Sequence, residues 1–151
     1  MDIRLQTGDA RFTLRAAALI LQNGQLLAIQ NDCAGCCYTI GGGVRLGEST
    51  EEAVLRECRE ETGHDWQIER LVFVQERFYR AADTQHHELV FFYLMKPPVA
   101  PIANGLPTDQ QHERLCWLPI DQLDDAPLVP AFLKEAVQAI PQSVQHVFSY
   151  E

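Results

Sequence analysis

Along the chain, apolar positions first recur with the period of strands and then change to that of a helix. "FTLRAAALILQNGQLLAIQ", residues 12–30, holds two β-compatible runs separated by Asn23-Gly24, a dipeptide suited to the positive φ angles of a tight hairpin turn. Strands are therefore expected near 12–22 and 25–30. "YTI" at 38–40 reads as a short strand feeding three glycines. A helix is expected from Ser49, where Glu52 three residues on completes a capping box, and Gly63 should stop it in the left-handed conformation usual at helix ends.

Beyond the helix, "WQIERLVFVQERFYR" and "HHELVFFYLMK" alternate or run apolar, and the polar "AADTQ" between them predicts a second hairpin. After the proline-rich "PPVAPIANGLP", "ERLCWLPI" reads as a strand and "DQLDD" as a short helical turn. "PAFLKEAVQAI" reads as a C-terminal helix begun by Pro130. The sum is an α/β chain with a mixed sheet and helices on it, without repeats, linkers or a second domain.

Composition narrows the function more than the fold. With 151 residues, 46% hydrophobic and 22% charged, the chain is expected to form a single domain over 1–151 with one core. The formal net charge of −9 leaves no broad basic surface for general nucleic-acid binding, so a phosphate-bearing ligand would need positive charge from elsewhere. The first twelve residues lack the pattern of an export signal and no window is apolar enough to span a membrane, so a cytoplasmic protein is expected. Five cysteines then read as reduced thiols. "CAGCC" contains a CxxC, but a zinc site would need two further ligands at suitable spacing; Cys33, Cys36 and Cys37 read instead as loop thiols beside a site.

The charge pattern that needs explaining lies in "TIGGGVRLGESTEEAVLRECREETGH", residues 39–64, where six glutamates follow three glycines. On a helix, Glu57, Glu60 and Glu61 fall within about a 100° arc, and like charges at these spacings repel. Arg56 and Arg59 offset only part of this. A solvated acidic face should lie opposite the apolar one, yet Ala53, Val54 and Cys58 share or adjoin the same arc. Carboxylates held against the body of a protein must be paired or metal-bound, and oxygen ligands suit a hard cation such as Mg²⁺ or Mn²⁺.

The spacing of these residues is more specific than their number. Gly42, five residues, Glu48, seven residues, then Arg56-Glu57-Cys58-Arg59-Glu60-Glu61-Thr62-Gly63-His64 resembles the signature of the Nudix hydrolases. Every polar and glycine position of that signature is filled. Ile40 stands where a proline often precedes the glycines, and His64 replaces a final apolar residue; neither change touches a carboxylate.

The resemblance implies a Nudix-like α/β/α sandwich, a mixed β-sheet flanked by helices. It implies metal-dependent hydrolysis of a nucleoside diphosphate linked to another moiety, by water attack on phosphorus. Residue by residue, it makes Glu57, Glu60 and Glu61 metal ligands, with a carbonyl of Gly41 or Gly42, and makes Glu48 a support of the site. Arg56 is expected to orient Glu57 through a bidentate pair, and Glu57 itself stays a candidate base. Outside the signature, Glu113 and Glu88 are the candidate general bases. Arg15, Arg45, Arg77 and Arg80 are candidate phosphate contacts, and Phe78, Tyr79 and Trp66 candidate base-stacking rings. The expected partner is a nucleoside diphosphate derivative, with a homodimer as an assembly the sequence permits and no membrane partner. Two other readings stay open, a catalytically silent nucleotide sensor and a diphosphate isomerase on the same fold.

Overall fold

Asn23 and Gly24 take the positive φ angles, 52° and 71°, that their dipeptide suggests. The turn they make joins a strand of two residues to one of seven. The computed structural model, which describes residues 1–151, contains β1 (Arg4–Thr7), β2 (Ala10–Leu19), β3 (Leu21–Gln22), β4 (Gln25–Asn31), β5 (Cys36–Tyr38) and β6 (Gly41–Gly43) before helix α1 (Thr50–Thr62). After it come β7 (Ile68–Ala81), β8 (Thr84–Met95), β9 (Glu113–Pro119), a 3-10 turn (Ile120–Asp125), α2 (Leu133–Ala136) and β10 (Gln145–Tyr150).

The expected strand over 12–22 divides at Ile20 because the chain changes sheets there. β2 lies in a six-stranded mixed sheet of order β1-β2-β8-β7-β10, with β6 also pairing β2, whereas β3 pairs β4 in a four-stranded sheet that includes β5 and β9. β2 runs parallel to β8 and antiparallel to β1 and β6. The hairpin of β7 and β8 forms as its pattern predicts, and β9 lies antiparallel along the whole of β4.

Side-chain parity assigns the layers. Ala16 and Ala18 of β2, Leu27 and Ile29 of β4 and Tyr93 of β8 pack with Ala53, Val54 and Cys58 of α1 in one core cluster. Their neighbours of opposite parity, Ala17, Leu19, Leu26, Ala28, Val90 and Phe92, pack with Leu123, Leu128, Leu133 and Val137 in a second. Helices therefore cover strands from both sides, which is the α/β/α sandwich.

α1 is fixed at both ends by its own sequence. The Ser49 side chain accepts the Glu52 N–H at 3.1 Å and Glu52 Oε2 accepts the Ser49 N–H at 2.8 Å. Gly63, at φ 75°, donates its N–H to the Arg59 carbonyl at 2.8 Å. The expected C-terminal helix is much shorter than its apolar pattern suggests. Leu133 and Lys134 donate to carbonyls three residues back, a tighter 3-10 geometry, and only four residues form α-helix. β1 and β10 lack a strong apolar run, and their pairing with β2 and β7 was not anticipated from sequence. No helix is long and apolar enough to cross a membrane.

Candidate active site

Glycine strand β6 sets the geometry of the site. It abuts β2 so closely that a Cβ on Gly41 would lie 2.5 Å from the Ala16 carbonyl oxygen. On Gly42 a Cβ would lie 2.5 Å from the Glu57 carboxyl carbon. Only a bare backbone fits, so the Glu57 carboxylate rests directly on the strand.

Arg56 organises the carboxylates around that contact. Its Nε and Nη2 donate to Glu48 Oε1 and Oε2 at 2.7 and 3.0 Å, while Nη1 donates once to Glu57 Oε1 at 2.8 Å and Nη2 to the Gly43 carbonyl at 3.1 Å. The bidentate partner of Arg56 is thus Glu48 and not Glu57, which corrects the expectation above. Glu48 also accepts the Arg45 N–H at 2.9 Å, and its bonds to Arg56 hold its carboxyl below the usual carboxylate range. A guanidinium locked onto Glu48 is a rigid platform for the single bond that aims Glu57.

The other two helix carboxylates divide. Glu60 is exposed and lies 3.7 Å from Arg45 and 3.5 Å from Arg56. Glu61 is drawn inward, and its buried Oε2 has no hydrogen-bond partner. Burial first, then charge repulsion from Asp109, Glu113 and Glu57, pushes the Glu61 carboxyl up to about 7. Burial also raises Glu57, against the attraction of Arg56. No three acidic, histidine or cysteine side chains are gathered closely enough to form a cation site by themselves. The donors nevertheless fit a hard cation: they are carboxylate oxygens beside bare glycine backbone, and one is a buried oxygen with no proton donor.

Glu61, Gly41 and Gly42 open onto a cleft of about 720 Å³ that also takes in Arg15, Arg77, Tyr79, Glu88 and Glu113. Of the arginines singled out from sequence, Arg15 and Arg77 reach it. Arg45 and Arg80 do not line it; they pair with Glu60 and Asp9 at 3.7 and 3.9 Å. Trp66 is buried at the end of α1, donating to Thr62 Oγ1 at 2.8 Å, and Phe78 faces away from the cleft, stacked on His87 and Tyr150. Cys33, Cys36 and Cys37 are free thiols, but only Cys33, exposed, lies in the β4–β5 turn; Cys36 and the buried Cys37 belong to strand β5, which corrects their reading as loop thiols.

Glu88 and Glu113 sit in different surroundings. Glu88, only 6% exposed, accepts from Tyr79 Oη at 3.1 Å and lies 3.5 Å from Arg77. Glu113 accepts from the Tyr38 hydroxyl and, at 3.4 Å, from Thr108 Oγ1. Asn31 Nδ2 donates to the same Tyr38 oxygen at 3.2 Å. Sequence reasoning missed Tyr38 and Asp109. Each reaches the site by tertiary contact alone, and nothing local marks either.

Most of the chain matches known proteins. A family model of the NUDIX domain matches residues 12–140. A curated relative, putative nudix hydrolase 1 of Caenorhabditis elegans, is 42% identical over 67 residues, which cover 40% of this chain and 18% of that protein. The chain thus spans less than a fifth of that relative's length. The crystal structure of a MutT protein from Bacillus halodurans superposes with a TM-score of 0.71 at 20% identity, over 91% of this chain and 90% of that one. An ADP-ribose pyrophosphatase from Streptococcus suis superposes with a TM-score of 0.54 at 18% identity, over 90% and 98%. At these identities the solved structures show a shared fold.

Proposed function

The chain belongs to the Nudix family, and on that premise we propose that it hydrolyses a phosphoanhydride in a nucleoside diphosphate linked to another moiety, using Mg²⁺ or Mn²⁺. The observation that carries the reading is the unpartnered, buried Glu61 Oε2, on a residue that lines the same cleft as Arg15 and Arg77. A buried carboxylate oxygen without a donor is costly unless a cation completes it, and a diphosphate entering this acidic protein needs the same neutralisation. The Streptococcus suis neighbour, an ADP-ribose pyrophosphatase, has an activity of the same class, which supports the reading without fixing the substrate.

In this reading Glu57, Glu60 and Glu61, with a Gly41 or Gly42 carbonyl, would hold the metal. When bound, the ion supplies neutralisation of the diphosphate and activation of water. Arg56 keeps Glu57 aimed through its lock on Glu48. Arg15 and Arg77 bind phosphate oxygens. Glu113 takes the proton from the attacking water at a carboxylate oxygen, and Tyr38, braced by Asn31, fixes the orientation of that carboxylate. Glu113 is preferred to Glu88 because it interacts with Glu61, whereas Glu88 is engaged by Tyr79 and Arg77.

A panel of nucleoside diphosphate derivatives incubated with Mg²⁺ tests this, the expected product being a nucleoside monophosphate. Tight binding without turnover would favour a sensor. Rearrangement of a diphosphate without release of phosphate would favour an isomerase.

A further inference from the structure

The six-stranded sheet ends on one side in β10, and that edge is bare. The direction of its free backbone groups follows from one bond. The Glu151 N–H donates to the Phe78 carbonyl at 2.8 Å, so in the parallel ladder with β7 the groups of residues 147 and 149 also point inward. The N–H and C=O groups of His146, Phe148 and Tyr150 therefore point outward, unpaired. The side chains of these same three residues share the α1 side of the sheet: Tyr150 stacks on Phe78 at 4.9 Å, and His146 Nε2 lies 2.7 Å from Glu76 Oε2.

We propose that this edge pairs antiparallel with the same edge of a second copy of the chain, about a two-fold axis at Phe148, joining two six-stranded sheets into one. Backbone geometry narrows the register. Directly opposed residues in an antiparallel pair must share a sheet face, and the outward groups must meet each other. A two-fold centred on any residue of β10 satisfies both, so the choice among them rests on how many outward residues of the strand find a partner. Centring on Phe148 uses all three residues, with Phe148 opposite Phe148 and His146 opposite Tyr150 of the other copy. Each of these is a hydrogen-bonded pair.

Charge decides the occupant. Each copy carries a net charge of −9, so most surfaces of the protein repel their own kind. β10 contains no Asp, Glu, Lys, Arg or Pro, and the one basic side chain on its exposed row, His146, is already bonded to Glu76. In the stated register Glu151 meets Gln145 of the other copy, so no two carboxylates are opposed. The sheet's other edge is guarded differently: β1 carries Arg4, 3.8 Å from Asp2. An uncharged edge strand without proline lacks the usual devices against self-pairing.

Area sets the strength. Phe148 and Tyr150 are 58% and 78% exposed, and a buried aromatic ring contributes about 150–250 Å², against roughly 800 Å² per partner for a standard interface. The dimer is therefore concentration-dependent. Because its axis is perpendicular to the sheet, the two clefts open on the same side.

Analytical ultracentrifugation of the full chain tests the assembly. The mass should rise from 17.1 kDa toward twice that value as concentration increases into the hundreds of micromolar. F148P removes an outward N–H that has no partner within the protomer, so it should leave the β7 ladder intact and shift half-association at least tenfold upward. F148K, which keeps the backbone donor but adds a charge on the axis, should do the same and serves if F148P folds poorly. In hydrogen exchange, the amides of His146, Phe148 and Tyr150 should slow with concentration, while those of Val147 and Ser149 stay protected throughout. A constant mass of 17.1 kDa, or a dimer unaffected by F148K whose outward amides exchange freely, would overturn the proposal.

Discussion

Glu57 and Glu61 are held by opposite means, one against an arginine and a glycine, the other with a buried oxygen, Oε2, that meets no donor. Replacing Glu57 or Glu60 by glutamine should lower turnover by about 100-fold or more with unchanged far-UV circular dichroism, since a charged oxygen is lost where the cation would sit. Near-normal turnover in either variant would remove that residue from the site. Comparing Glu113→Gln with Glu88→Gln at saturating metal separates base from bystander. The base lowers kcat, by about 100-fold, without raising the metal requirement. Normal rates in both would return the role to Glu57. At this scale the sequence was informative wherever a residue acts through near neighbours: Glu48, Arg56 and Glu57 meet within one helix and the loop before it. It was silent about Tyr38 meeting Glu113 and about Asp109 raising Glu61, because such contacts depend on how β5, β9 and the loop before β9 come together.

The elements repeat that division. The limits of α1 could be read from Ser49, Glu52 and Gly63 because capping is local chemistry. The break at Ile20 could not, since either side of it is equally β-compatible and only the choice of sheet separates them. Helix α2 failed for a related reason: its apolar residues serve the second core cluster whether or not the backbone closes α-helical bonds. Ser49→Ala removes the side-chain acceptor for the Glu52 N–H and should cost about 0.5–2 kcal/mol. For a chain of this size that lowers Tm by about 2–4 °C per kcal/mol. An unchanged melting curve would mean the cap is dispensable. Activity should fall by less than in the Glu57 variant, because the cap tilts the helix without removing a donor.

For the whole molecule, removal of divalent metal should abolish turnover, and Mg²⁺ or Mn²⁺ should restore it where Zn²⁺ does not. Full activity after exhaustive chelation would refute the proposed cofactor. The metal-free protein should also respond to pH in a defined sense. The folded Glu61 carboxyl titrates near 7, above its ordinary 4.5, so folding favours its protonated form. That stabilisation is full below pH 4.5 and is lost as pH rises through about 7. Thermal melts in chelator should therefore show Tm falling over this interval, by a smaller amount in Glu61→Gln. At higher pH, added Mg²⁺ should recover the loss. The crossing of the chain from one sheet to the other at Ile20 has its own consequence here. Arg15, Arg77 and Glu88 ride on the larger sheet, Tyr38 and Glu113 on the smaller, so the proposed chemistry straddles a seam. Loosening that seam would extinguish turnover while both sheets still gave their full spectroscopic signal, so that under mild denaturant the enzyme would fall silent before it unfolds.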